Sequence, residues 1–308
     1  MKIVLPRTLK LAVVVLFSLA AASLSAQDWA RARLEASPRH REYAALKAGS
    51  RTVQALVVYP EVSTEAPVVI LIHEIFGLSD WAEEMADELA ARGFIVIAPD
   101  MLSGYGPGGG GTSAFPSQDA VIKAVSSLNP DEVNEDLDAA ADYGKHLPAA
   151  NGELAVVGFC WGGSKSFAFA AHRKDLSAAF VFYGTPPTDV STITAPVYGF
   201  YAGNDARVSA TVPATVTTMK TAGKVYEPVI YDGAGHGFMR AGEDPGNTVP
   251  GNKTAREQGF DRLVKLLKGM QGAPAASGGD EEPVNAKKAG APAVTCHDAG
   301  DKSAMASM

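Results

Sequence analysis

Few cysteines, few charges and no long apolar run mark this chain. Its 308 residues include two cysteines, Cys160 and Cys296, so at most one disulfide can form. No group of cysteines and histidines has zinc-ligand spacing, and no metal is expected. Charged residues make up only 20% of the chain, with 34 acids against 27 bases and a formal charge of −7. No clustered basic face is visible, which argues against a nucleic-acid partner. The apolar stretch from Leu11 to Ala22 is too short to cross a bilayer comfortably. The Gly104–Gly111 loop lacks the Gly-Lys-Ser/Thr ending of a phosphate-binding loop and follows no strand in the dinucleotide pattern. No cofactor is expected.

Hydrophobic residues, at 46%, suffice for the core of one large α/β domain. Lys2, Arg7 and Lys10 precede the Leu11–Ala22 stretch, and Ser23-Leu24-Ser25-Ala26 follows with small residues. That is the pattern of a signal peptide over residues 1–26, with an uncleaved anchor as the alternative. A periplasmic or secreted protein, free of the membrane after cleavage, is therefore expected. Its loss removes three bases and no acid, so the charge becomes about −10. Residues 27–50 read as an N-terminal helix and linker with a solvated charged face (Arg31, Arg33, Glu35, Arg39, Arg41, Glu42). Residues 51–270 read as the folded domain. Residues 271–308, rich in Ala, Gly, Pro and charge, read as a disordered tail. A Cys160–Cys296 bond would bring that tail to Cys160 and silence it, so both are read as unpaired, a redox lock being the alternative.

The most informative stretch is Gly158-Phe159-Cys160-Trp161-Gly162-Gly163. An apolar run, Leu154–Val157, precedes it as a strand, and Ser164–Ala171 follows as a helix. Strand, Gly-x-Cys-x-Gly, helix is the context of a nucleophile elbow, with cysteine where serine is usual. A tight turn leaves no room for side chains on either side of the nucleophile, and the helix start aims N–H groups at a thiolate or oxyanion. A buried cysteine at a Gly-rich strand end is the plainer alternative. On such a scaffold the order is nucleophile, acid, histidine. The strand ending in Gly203-Asn204-Asp205 places a carboxylate 45 residues after Cys160, and the strand ending in Gly235-His236-Gly237 places an imidazole 31 residues further on. All three candidates then sit at C-terminal strand ends, where open α/β sheets place their sites. His236 would take the thiol proton and Asp205 would orient the imidazole. Glu74, after the strand Val68–Ile72, lies at another such end and is placed to exchange a proton with the thiol.

With His73-Glu74-Ile75-Phe76-Gly77 and Ala98-Pro99-Asp100 added, the motifs resemble those of the dienelactone hydrolase family, an α/β-hydrolase branch, over roughly Arg51 to Met270. The resemblance implies a Cys160–Asp205–His236 triad and a Glu74 that turns to the thiol when substrate binds. It also implies an oxyanion hole from the Ile75 and Trp161 amides, and an Arg240 that pairs with Glu74 or a substrate carboxylate. One departure stands out: Gly104 occupies the place where the family's enzymes carry a carboxylate-binding arginine. Tyr105 and Phe115 are expected as apolar contacts on a mobile flap at the substrate mouth. His73 is expected to pack beneath the oxyanion loop, and His40, His146, His172 and His297 to be surface or capping residues.

Elsewhere, Thr52–Pro60 reads as an antiparallel edge strand, and Asn129-Pro130-Asp131-Glu132 as a helix start. Alternation of strands and helices predicts a mostly parallel sheet with helices on both faces. The expected activity is hydrolysis of a small ester or lactone by a monomer or dimer. The rivals are a broad carboxylesterase or thioesterase and a non-catalytic binding protein.

Overall fold

Short runs of β-branched and apolar residues build the centre of the molecule. In the computed structural model, which describes residues 27–270, they form one sheet of eight strands. The strands are β1 (Arg41–Ala48), β2 (Arg51–Val58), β3 (Ala66–Ile72), β4 (Ile95–Pro99), β5 (Ala150–Phe159), β6 (Ala178–Phe182), β7 (Val197–Ala202) and β8 (Tyr226–Tyr231). Their order is β1-β2-β4-β3-β5-β6-β7-β8, and β2 runs antiparallel to both its neighbours. The remaining pairings are parallel. The expectations for residues 1–26, for the tail and for Cys296 and His297 lie outside the described residues.

Strand side chains alternate between two cores, as a two-residue period demands. Val69 and Leu71 join Trp81, Met85 and Leu89 of α2 (Asp80–Ala90) on one face, with Phe260 and Leu263 of a C-terminal helix (Pro250–Met270). Val68, Ile70 and Ile72 face Val133, Leu137 and Ala140 of a helix over Pro130–Lys145 on the other. That helix begins at Pro130, and the Asn129 side chain accepts the Asp131 N–H at 2.9 Å. Each parallel strand thus ends at the same edge of the sheet, and loops from those ends meet there.

The N-terminal region differs from its sequence reading. A helix, α1 (Asp28–Ala36), does form, but residues 41–48 are a strand rather than a linker. β1 covers β2, so Thr52–Val58 is not an edge strand. Arg31, Arg33, Glu35 and Glu42 are exposed, as expected of a solvated face, but the arginines also have acidic partners. Arg31 meets Asp80 at 3.0 Å, Arg33 meets Glu84 and Glu243, and Arg39 pairs with Asp87. These partners lie about 50 or more residues away in sequence, beyond the reach of local pattern.

One of these contacts carries a proton-dependent cost. Glu84, Glu88 and Glu243 bring oxygens within 4.8 Å of one another, and Arg33 and Arg256 stand among them. Glu84 is buried and its Oε2 has no hydrogen-bond partner. Burial first, then the Glu243 and Glu88 charges, push its carboxyl up to about 8, against the pull of Arg33. The protonated form is therefore favoured in the fold. The stability it gives is complete below the ordinary carboxyl value of 4.5 and is lost as pH rises through about 8. Each pH unit of that displacement corresponds to about 1.4 kcal/mol. Melting curves between pH 5 and 8 should show the parent losing stability with rising pH and Glu84→Gln losing distinctly less. Parallel slopes for the two proteins would exclude a protonated Glu84.

Candidate active site

The elbow follows from close backbone packing. A methyl group on Gly158 would sit 1.9 Å from the Gly162 carbonyl oxygen, and one on Gly162 would sit 2.3 Å from the Ile72 carbonyl oxygen. Cys160 is held between them at φ +56° and ψ −113°, a region that side chains other than hydrogen rarely adopt. Its N–H donates to the Phe182 carbonyl at 3.1 Å, and its own carbonyl accepts Ser164 N–H of the helix Trp161–His172. The sulfur thus projects from the C-terminal edge of the sheet at a helix start.

Three of the predicted residues converge there. His236 Nε2 lies 3.1 Å from Cys160 Sγ, and His236 Nδ1 lies 2.5 Å from Asp205 Oδ2. An ionised Asp205 can only accept, so Nδ1 carries the proton and Nε2 is free to receive one from sulfur. Asp205 is buried, and its other oxygen caps a short helix, Ala206–Ser209, by accepting Val208 N–H at 3.2 Å. The His236 loop is fixed by Gly235 N–H donating to Asn252 Oδ1 at 2.7 Å and by the buried Phe238.

Glu74 is buried beside this group but makes no hydrogen bond to the thiol. Arg240 Nε donates to its Oε2 at 2.8 Å, with the guanidinium also 4.8 Å from the Phe76 ring centre. Burial and the Glu74 charge push the Cys160 thiol up to about 11; the Trp161 and Ile75 N–H groups and the Arg207 charge pull the other way. Both amides expected to form an oxyanion hole therefore act on the sulfur, and Glu74, held by Arg240, opposes its ionisation. The site combines a protonated thiol with a base in direct contact, not a thiol of depressed pKa.

His73 is fully buried, stacks on Trp161 with ring centres 5.5 Å apart, and has its Nδ1 2.7 Å from the Glu74 carbonyl oxygen. Burial lowers its pKa, so it stays neutral beneath the loop. His172 meets Asp138 and His146 meets the Asp142 carbonyl, while His40 lies against Tyr59, all away from the thiol.

Tyr105 is a correction: nothing joins it to the thiol. Its hydroxyl donates to Glu132 and its ring lies 4.4 Å from the Arg51 guanidinium, toward the β1–β2 hairpin. Nor is its loop a free flap. Gly104 and Gly106 N–H both donate to the Gly110 carbonyl, and Thr112 binds Asp100 through its N–H and hydroxyl at 2.7 and 2.6 Å. Phe115, at the far end of the loop, packs instead against the Leu102, Val121 and Val125 cluster, which Ile75 and Trp161 also meet.

Sequence reasoning passed over Tyr183. Strand register pairs Phe159 with Phe182, so Tyr183 follows β6 just as Cys160 follows β5. It too has positive φ, +40°. Its buried hydroxyl donates to Glu74 Oε1 at 3.3 Å, and its ring packs edge-on against His236 with centres 5.0 Å apart. A large polar residue at the end of the strand beside the elbow strand was the available signal.

Comparison with known proteins places this geometry among relatives. The sequence model of the dienelactone hydrolase family matches residues 53–271. A provisionally named carboxymethylenebutenolidase from Methylorubrum extorquens is 31% identical over 187 residues, which cover 56% of this chain and 63% of that one. The chain thus spans less than two thirds of that relative's length. The carboxymethylenebutenolidase of Pseudomonas putida is 28% identical over 224 residues, covering 70% and 92%. A provisionally named dienelactone hydrolase from Klebsiella pneumoniae superposes with a TM-score of 0.65 at 24% identity, over 75% of this chain and 98% of that one. At that identity the likeness speaks for the fold, which is that of the α/β-hydrolases.

The electrostatics set the thiol's reactivity. Iodoacetamide should modify Cys160 slowly at neutral pH, with a rate still rising toward pH 11. Glu74→Gln removes the opposing negative charge and should move that rise to lower pH. A Cys160 alkylation profile unchanged by Glu74→Gln would rule out the charge coupling.

Proposed function

Because this chain belongs to the dienelactone hydrolase family, we propose that it is a cysteine-dependent hydrolase of small esters or lactones. The observation that carries the reading is the contact of His236 Nε2 with Cys160 Sγ at 3.1 Å, backed by Asp205 on Nδ1. In this reading sulfur attacks the carbonyl carbon as its proton passes to His236. The carbonyl oxygen, now negative, takes the Ile75 and Trp161 N–H bonds. Collapse of the tetrahedral species expels the alkoxide, which takes the proton from His236, and leaves a thioester. A water molecule then gives a proton to His236 and adds to the thioester. The second collapse releases the acid, and sulfur regains its proton. Preorganised N–H donors of this kind supply about 2.7–4 kcal/mol each.

Glu74 and Arg240 would act before the first step. A carboxylate arriving with the substrate can take over the Arg240 guanidinium and free Glu74 to turn toward the thiol. Tyr183, donating to the other Glu74 oxygen, would hold the resting position. A broader carboxylesterase or thioesterase is supported by one observation: residues 100–117 contain no arginine or lysine, so that loop offers no positive charge to select anionic substrates. Export to the periplasm or medium is proposed on the leader-like residues 1–26 alone.

A panel of nitrophenyl esters and small lactones tests the reading. Cys160→Ala should lower kcat/KM by roughly a thousandfold or more while retaining the parent's melting curve, and His236→Gln should do the same. Equal turnover by the parent and a folded Cys160→Ala would refute it.

A further inference from the structure

Around the thiol, the cations are differently engaged. Arg240 is bound to Glu74 at 2.8 Å. Lys165 lies over the Trp161 ring, 5.3 Å from its centre. The loop after β4 contributes no cation, Gly104 standing where one was expected. Arg207 remains. It is exposed, and among the described residues no ion pair or side-chain hydrogen bond engages its guanidinium.

The backbone that carries Arg207 is anchored on both sides. Asp205, two residues before it, is tied to His236 and caps the turn through Val208 N–H. Val208, the next residue, is buried. Asn204 N–H donates to the Ala234 carbonyl at 2.9 Å, and Ser209 Oγ donates to the Ala202 carbonyl at 2.7 Å. The turn cannot swing without dislodging the carboxylate that orients His236. A side chain on a fixed turn loses less freedom on binding than one on a loose loop. Its charge also reaches the reaction centre: burial and Glu74 raise the thiol's pKa, and Arg207 is among the groups that lower it.

We propose that Arg207 is a specificity-determining residue of this site, an unpaired guanidinium on an anchored turn that receives a carboxylate on the substrate whose carbonyl lies at Cys160. A planar guanidinium fork matches a carboxylate with two parallel N–H bonds. Arg240 must surrender Glu74 to bind an anion, whereas Arg207 surrenders nothing. The two cations then divide the work: Arg207 attracts and orients the anion at rest, and Arg240 exchanges partners. The substrate clause rests on the hydrolase reading; the attraction of anions to the thiol does not.

Two ratios test the proposal on the full chain. One is the rate of Cys160 alkylation by iodoacetate over that by iodoacetamide, which needs no turnover. The other is kcat/KM for mono-p-nitrophenyl succinate over that for p-nitrophenyl butyrate. In Arg207→Gln both ratios should fall roughly fivefold or more, the scale of a partly screened charge contact. The second should fall through KM, and Arg207→Lys should recover most of both. Added salt should lower the parent's ratios toward those of Arg207→Gln. If the alkylation ratio falls but neither ester is turned over, Arg207 stands as the anion-binding residue and the hydrolase reading fails. If esters are turned over and neither ratio moves, Arg207 is overturned and the hydrolase reading stands. An unchanged alkylation ratio overturns Arg207 in either case.

Discussion

Everything at this site depends on how closely three backbone segments approach at the elbow. The Gly158 α-carbon lies against the Gly162 carbonyl, and the Gly162 α-carbon lies against the Ile72 and His73 carbonyls. The elbow strand, the helix after it and the end of β3 are thereby pressed together without intervening side chains. The consequence is chemical. The Ile75 amide belongs to the loop leaving β3, and the Trp161 amide belongs to the first turn of the helix. Only because those segments touch can both N–H groups address the same sulfur. The strained Cys160 backbone, of a kind that costs roughly 1–3 kcal/mol, is tolerated because the surrounding ladder fixes it: Cys160 N–H is bound to Phe182 and its carbonyl to Ser164.

Electrostatics at rest run against the nucleophile. Burial and Glu74 together hold the thiol protonated, while an imidazole waits at 3.1 Å. Glu74 is in turn held by Arg240 and Tyr183. In the structure that carboxylate is held by a guanidinium and a phenol while its charge acts on the thiol; the proposed mechanism would move it nearer the sulfur. Held where it is, it repels a thiolate through charge. Turned to the sulfur, it could accept the proton. In the mechanism proposed above, a competing anion at Arg240 would release Glu74, and the thiol's reactivity would then follow occupation of the pocket.

The central architecture and the triad candidates were readable from the sequence for a physical reason. Each is a short-range pattern: an apolar strand, then within a few residues a glycine, a nucleophile, an acid or a histidine. Parallel strands then deliver such residues to one edge whatever the intervening helices do. What was not readable depended on contacts between distant segments. Tyr183 becomes notable only once β5 and β6 are in register. Tyr105 looked suited to a pocket mouth, yet Arg51 and Glu132, 54 and 27 residues away, draw it aside. Residues 41–48 lack a strong alternating pattern, and half of them remain exposed in the strand; β1 exists because the whole length of β2 pairs with it. The ion pairs of the exposed α1 arginines were not readable because their partners, Asp80 and Glu84 on α2 and Glu243 in a turn, lie far along the chain.

Those arginines also bear on His236. His236 begins a segment whose members are fixed in succession: Phe238 is buried, Arg240 is tied to Glu74, and Glu243 is tied to Arg33 and Arg256. Arg33 belongs to α1, and Arg256 to the C-terminal helix. The loop that presents the imidazole is thus held from its first residue by the site and from its eighth by the chain's two described ends. A base that must stay within hydrogen-bond distance of a thiol tolerates little drift, and misplacement by about 1 Å can cost two orders of magnitude in rate. The N-terminal helix and its glutamate partners are therefore part of what keeps His236 in place, although none of them touches the sulfur.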